Sequence, residues 1–288
     1  VYAATGNGLG ISTDGGSTFA RRSTANGLGS NAVNSVYVTG DSVSAATGNG
    51  LSISIDGGRT FTNRLFSIGL DDDDNDVNDV YVFGSTVYAA TGAGLFISTD
   101  GGLTFTSRGT ADGLGSDSVL GVYASGGTVF AATANGLSIS TDGGGRFRNR
   151  STVNGLGGNA VRSVYASGSA VYVASEGGVS ISTDGGRTFT NHSGPPRLDD
   201  DDFVNSVYAV GSTVYAATQY GGLGVSEDGG NTFTNRSTAN GLGSNAVYGV
   251  FAVGGTVYAA TGNGLGISTD GGSTFTNRSA ANGLGSKT

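Results

Sequence analysis

Two runs of carboxylates are the first residues in this chain whose types and spacing could do chemistry. Asp71, Asp72, Asp73 and Asp74 form one run, and Asp199, Asp200, Asp201 and Asp202 form the other. Clustered carboxylates beside backbone carbonyls suit Ca²⁺, a hard ion that takes six to eight oxygen ligands. Neither run has the sixth-position glycine and closing glutamate of a dedicated calcium loop, so at both runs a solvated acidic loop competes with a divalent-ion site. Ca²⁺ is therefore the one cofactor the sequence suits, and nothing else in it requires a cofactor. Glycoside hydrolysis needs two acids about 5 Å or about 6.5 to 9.5 Å apart. The candidate pair is Glu176 with a carboxylate from Asp199 to Asp202. Glu227 is expected at an exposed turn, and the lone histidine, His192, has no nucleophile arranged with it. The chain has no cysteine, which removes thiolate catalysis and thiolate metal sites.

The rest of the composition narrows the fold that must position these residues. Of 288 residues 55 are glycine and 2 are proline, and there is no collagen-type period. Each glycine inside a helix costs about 1 kcal/mol against alanine, so long helices are excluded and a strand-and-turn protein remains. The formal net charge of −8 repels a phosphate backbone, which argues against nucleic acid as a partner. No apolar stretch approaches the 18 residues or so of a membrane span.

One unit repeats along the whole chain. The segment VYAATGNGLGISTDGGSTF at Val1 returns from Val43, Val87, Val129, Val171, Val214 and Val257. We expect residues 1–288 to form a single domain of seven such repeats, each of about 43 residues. Inside a repeat, four short runs of alternating apolar residues are separated by turn residues. They are A (AVNSVYV, Ala32 to Val38), B (SVSAAT, Ser42 to Thr47), C (LSISI, Leu51 to Ile55) and D (RTFTNR, Arg59 to Arg64). Four meandering strands per repeat of this length predict a propeller blade. The expectation is an all-β, seven-bladed β-propeller of four-stranded antiparallel blades. Seven B-C-D sets are present but only six A runs, so blade 1 lacks its innermost strand.

The pattern Ser-x-Asp-x-Gly-x-x-Phe, first at Ser12, Asp14, Gly16 and Phe19 and last at Ser268, Asp270, Gly272 and Phe275, resembles the Asp box, or BNR repeat, of sialidase-like β-propellers. Its aspartates are Asp14, Asp56, Asp100, Asp142, Asp184, Asp228 and Asp270. The resemblance implies a box on the hairpin between the third and fourth strands of each blade. Seven copies of one aspartate read as turn structure rather than as catalytic acids. The sialidase arginine triad is missing, because Arg22, Arg64, Arg108, Arg150, Arg236 and Arg278 share one repeat slot on the outermost strand and only Arg162 lies on an A strand. The inner tyrosines Tyr37, Tyr81, Tyr123, Tyr165 and Tyr208 occupy repeat positions and read as core.

These readings favour a non-enzymatic binding or scaffold module, extracellular or at the cell surface. Its ligand, a glycan or a protein, would meet the D-to-A and B-to-C loops at one end of the blades. Glu176, Tyr220 and Tyr248 are the candidate contacts. A multivalent lectin is the first alternative and a sialidase-like hydrolase the second. The missing A run adds one more expectation: blade 1 should present an open strand edge, to be covered by the terminal segments or by strand addition from a peptide.

Overall fold

The computed structural model describes residues 1–66, 75–192 and 203–285. Among them lie seven antiparallel sheets, six of four strands and one of three, each in strict chain order. The fold is the seven-bladed β-propeller, and blade 1 has three strands. Blade 1 comprises B (Tyr2–Thr5), C (Gly8–Ile11) and D (Ala20–Arg22). Blade 2 is complete, with A (Val33–Thr39), B (Ser42–Thr47), C (Gly50–Ser54) and D (Thr62–Arg64). The remaining five follow the same plan. Two compact units divide the chain. The first is Val1–Thr133 with Ser138–Arg148 and Ala280–Thr288, and the second is Ala134–Leu137 with Asn149–Ser279.

The core of each blade is built by B and C. Val43, Ala45, Ala46 and Leu51 are fully buried in blade 2, as are Ala89, Ala90 and Leu95 in blade 3. Such strands are buried on both faces, so small residues recur where neighbouring sheets approach closely. A strands carry a bulge after their first valine, where the register slips between Val33 and Ser35 and between Val77 and Asp79. The D strands are shorter than the sequence suggests, because the Phe of each repeat, such as Phe61, precedes the strand and turns inward. Successive inner tyrosines meet with tilted rings. In the first unit the Tyr37 and Tyr81 rings lie 4.7 Å apart and Tyr81 and Tyr123 4.8 Å apart. In the second, Tyr165 meets Tyr208 at 4.5 Å, and Tyr208 meets Phe251 at 5.0 Å. All five tyrosines remain half-buried.

The D-to-A connection contains a capped 3₁₀ turn at Thr24–Asn26. The Ala25 N–H donates to Ser23 Oγ, and the Ser23 N–H donates to Asn26 Oδ1. Gly27 follows at φ +93°, where a Cβ would strike the Phe61 carbonyl. The turn then docks on the next blade, because Asn26 O accepts the Phe61 N–H at 2.8 Å and Leu28 is buried. The C-terminal segment Ala280–Asn282 repeats this device on blade 1: Asn282 O accepts the Phe19 N–H at 2.8 Å and Leu284 is buried.

Candidate ligand-binding surface

Antiparallel strand order places the Ser-x-Asp hairpins, between C and D, at one end of each blade and the B-to-C and D-to-A loops at the other. At the hairpin end the aspartates are engaged. Asp14 Oδ1 accepts bonds from the Ser12 hydroxyl and the Ser17 and Thr18 amides, while Oδ2 accepts from the Thr18 hydroxyl at 2.6 Å. Donors aimed at the charged form hold these carboxyls well below the usual range. At Asp228 the Thr232 hydroxyl, the Thr232 amide and the Ser226 hydroxyl bring the value down to about 2. Asp142 keeps fewer donors, since Arg146 stands where the other repeats have threonine, yet it too is lowered, chiefly by the Ser140 hydroxyl. Carboxylates saturated in this way are turn structure.

The hairpin also clasps the preceding blade. The second box glycine donates its N–H to the serine, as Gly144 does to Ser140 Oγ at 2.9 Å, and its carbonyl accepts from the preceding blade's arginine, Arg108 Nε, at 2.8 Å. Arg22 to Gly58 O, Arg150 to Gly186 O and Arg236 to Gly272 O repeat the bond. An isoleucine from the preceding blade fills the space above the glycine. A Cβ on Gly102 would lie 2.3 Å from Ile53 Cδ1. In the second unit, Val225 stands where every other repeat has isoleucine, and a cleft of about 440 Å³ lies beside Tyr215, Val225, Glu227, Arg236 and Asp270. Three of its polar walls are already bonded: Tyr215 to Gly271 O, Arg236 to Gly272 O and Asp270 to its own box. Glu227 is exposed.

At the loop end the regular B-to-C turn closes on its own backbone. Thr47 Oγ1 donates to Gly50 O, the Asn49 N–H donates to Thr47 Oγ1, and Asn63 Nδ2 donates to Asn49 O. The second unit breaks this pattern in two adjoining repeats. In blade 5, Glu176 replaces a glycine or alanine, and its stem lies over Gly158, where a Cβ would come within 2.4 Å of Glu176 Cγ. The equivalents of Gly158 are serines, Ser30, Ser116 and Ser244. In blade 6 the turn gains a residue, and Thr218 Oγ1 reaches over it to Gly222 O at 3.0 Å. The insertion leaves Tyr220 65% exposed.

Next to these loops, the blade 5 A strand carries Arg162 where blades 2, 3 and 6 carry Asn34, Asn78 and Asn205. Arg162 lies 4.9 Å from the centre of the Phe203 ring, and its Nη1 donates to Asn205 Oδ1 at 3.4 Å. Asn205 Nδ2 donates in turn to Gln219 Oε1 at 3.1 Å and to Val247 O at 2.9 Å. The structure thus joins Arg162, Phe203, Asn205 and Gln219 into one connected set beside Tyr220. Of the three sequence candidates, Glu176 and Tyr220 lie in loops of adjacent blades, whereas Tyr248 lies on the A strand Val247–Val253, directly after Val247 and 38% exposed. Arg162, Phe203 and Gln219 were not singled out as ligand contacts. Their signal was available as departures from the repeat, since Phe203 replaces a small or acidic residue and Gln219 a glycine in most copies. Asp71 to Asp74 and Asp199 to Asp202 lie outside the described residues, and with them the acid pair proposed for Glu176. Among the described residues there is no cluster of three metal-ligating side chains, and no helix is long and apolar enough to cross a membrane.

No protein-family model matches the chain, and no curated protein matches it. Solved structures do. The extracellular domain of a putative one-component system from B. thetaiotaomicron superposes with a TM-score of 0.74 at 17% identity, over 93% of this chain and 36% of that one. The likeness is one of fold. An ancestral GH74 enzyme gives 0.64 at 19% identity, covering 85% of this chain and 37% of the enzyme. YCF48 bound to D1 peptide gives 0.64 at 15% identity, covering 96% and 86%. The chain therefore spans little more than a third of the first of these neighbours.

Proposed function

We propose that this chain is a non-enzymatic binding propeller of the Asp-box class, working outside the cell or at its surface, whose ligand meets the loop end of blades 5 and 6. The observation that carries this reading is the distribution of departures from the repeat. At the hairpin end all seven Ser-Asp pairs keep one geometry, whereas Glu176, Arg162, Phe203, Gln219 and Tyr220 differ from the repeat and gather at the loop end of one unit. An exposed phenol, a guanidinium over an aromatic ring, two carboxamides and a carboxylate offer both donors and acceptors beside an apolar surface. That is the chemistry of a polar extended ligand, a peptide or a glycan, rather than of a phosphate backbone. A neighbour solved with a peptide and another that is an extracellular domain support the reading by analogy of fold.

The test is a screen of immobilised protein against peptide and glycan arrays, with and without Ca²⁺, using Tyr220→Ala and Arg162→Ala as controls. We expect hits that both variants weaken about tenfold or more while the melting temperature stays within a degree or two. Cleavage of an array sugar would overturn the non-enzymatic reading, and hits indifferent to both variants would move the site elsewhere.

A further inference from the structure

The hairpin end also carries departures from the repeat that leave the Ser-Asp box untouched, and four of them line one cleft. Glu227 stands beside its box aspartate where five repeats have threonine, at Thr13, Thr99, Thr141, Thr183 and Thr269, and one has Ile55. Val225 takes the place of isoleucine. Val210 and Val253 end their A strands, where blades 2, 4 and 5 have Thr39, Ser125 and Ser167. All four line the cleft of about 440 Å³ between blades 6 and 7, inside the second unit. That volume falls within the range of about 300 to 1,000 Å³ usual for small-molecule sites. The missing methyl group opens it: a Cβ on Gly230 would collide with Ile181 Cδ1, whereas one on the equivalent Gly272 would meet Tyr215 Cε1 at 3.3 Å and Val225 Cγ2 at 3.6 Å. Tyr215, Val225 and Ala252 are buried and make the floor, and the exposed Val210 and Val253 make the lips.

Three charged side chains line this cleft, and two are committed. Asp270 accepts from the Ser268 and Thr274 hydroxyls and the Ser273 amide, and Arg236 donates to Gly272 O and Asn235 O. Glu227 makes no hydrogen bond or ion pair among the described residues. Its charge still reaches the floor: burial first and Glu227 second push the Tyr215 phenol above the ordinary tyrosine value. Two carboxylates against one guanidinium leave the lining negative. We propose that this cleft binds a small organic cation, an ammonium group on an apolar body, with the ammonium paired to Glu227 and the body held against Val210, Val225 and Val253. The apolar body rewards burial on the floor and lips, and the ammonium meets the one carboxylate with acceptor capacity to spare. An inorganic divalent ion fits worse, because it takes six or more oxygen ligands and no cluster of three metal-ligating side chains occurs among the described residues. The site belongs to the hairpin end and does not depend on the loop-end reading.

The experiment is a titration of the full chain with 2-phenylethylamine hydrochloride, followed by NMR and thermal melting. The neutral isostere 2-phenylethanol and the anion 3-phenylpropionate test the charge. Saturable one-to-one binding of the amine with a micromolar to millimolar Kd is expected, with a melting temperature that climbs with its concentration. The alcohol should bind about tenfold more weakly or worse, and the anion should not bind. Glu227→Gln, and Glu227→Thr, which restores the residue of five repeats, should each weaken the amine about tenfold while the melting temperature without ligand stays within a degree or two. Val225→Ile, which refills the space above Gly272, should weaken it as well. The proposal fails if about 10 mM amine changes neither spectrum nor melting temperature, an excess that mass action would register. It fails too if the alcohol or the anion binds as well as the amine, or if the two Glu227 variants and Val225→Ile bind the amine as the parent chain does.

Discussion

At the hairpin end of the blades the Ser-to-Asp hydrogen bond measures between 2.6 and 2.7 Å in all seven copies. At the loop end, blade 2 carries Gly48 and Asn49 where blade 5 carries Glu176 and blade 6 carries Gln219 and an inserted residue. The difference follows from what each end must hold. A hairpin serves its own turn and the packing of the preceding blade at once, and at Gly58, Gly144, Gly186 and Gly272 that blade's arginine as well, so a change in one residue disturbs two blades. The loop turn closes through threonine and backbone atoms, which Thr218 still manages across an insertion. Side chains beyond those atoms carry no packing duty, and that is where sequence change has collected.

The sharpest way to break this comparison is to alter the clasp itself. Gly102→Ala places a Cβ at φ +89° and 2.3 Å from Ile53 Cδ1, and should lower stability by about 3 kcal/mol in urea unfolding. Adding Ile53→Val should return part of the loss and leave the backbone strain. An effect under about 1 kcal/mol for the single change would mean the clasp does not brace the blades.

A smaller effect is expected where the repeat is broken at neither end. Asp79 is half-buried, with Ser35 Oγ and the Val80 and Val122 amides bonded to its carboxyl, yet desolvation of that carboxyl pushes it above the ordinary carboxylate value. A raised folded pKa means that the group's stability contribution is complete below the unfolded value, about 3.9, and is lost as pH rises through the folded one. Asp79→Ser, which restores the residue found at Ser35, Ser163 and Ser206, should therefore raise the melting temperature at pH 7.5 by the equivalent of about 1 kcal/mol and do little at pH 3. A variant that is less stable at both pH values would show that the three hydrogen bonds outweigh the buried charge.

The smallest effect belongs to the loop end. Tyr220→Ser should change stability by no more than about 0.5 kcal/mol, because most of the side chain is already in water. A larger loss in thermal melting would give the loop a packing role and narrow the contrast between the two ends.

The fold was legible because the repeat states it again and again: the B strand at Ser42–Thr47 and the seven-residue A strand of each complete blade follow from alternation and turn residues alone. The count of A runs also gave the three-stranded blade 1. Less legible were features that rest on contacts between repeats. Arg108 and its equivalents looked like an idle outer-strand slot because their acceptor, Gly144 O, lies 36 residues away in the next blade. The Ser23 cap lies in a connection read only as turn residues, although serine followed three residues later by asparagine is a capping pattern. Tyr248, expected near the loops, is the second residue of its A strand, Val247–Val253. The set built on Arg162 and Phe203 was invisible as a motif, since its members come from separate repeats and share only their departure from the consensus.

The docking of each 3₁₀ turn on the following blade has a consequence for how the protein comes together. Asn26 and Phe61, Asp112 and Phe147, Asn154 and Phe189, and Asn240 and Phe275 are partners 35 residues apart, whereas Phe19 and Asn282 are 263 apart. Closing the long loop from a disordered chain costs about 2 kcal/mol more than closing a short one. Local pairs therefore form early and cheaply, and the Phe19–Asn282 bond forms once the intervening blades have already drawn its partners near. By the same reasoning it is the first of these bonds to yield when the protein is stressed, and hydrogen exchange at the Phe19 amide should run ahead of exchange at Phe61.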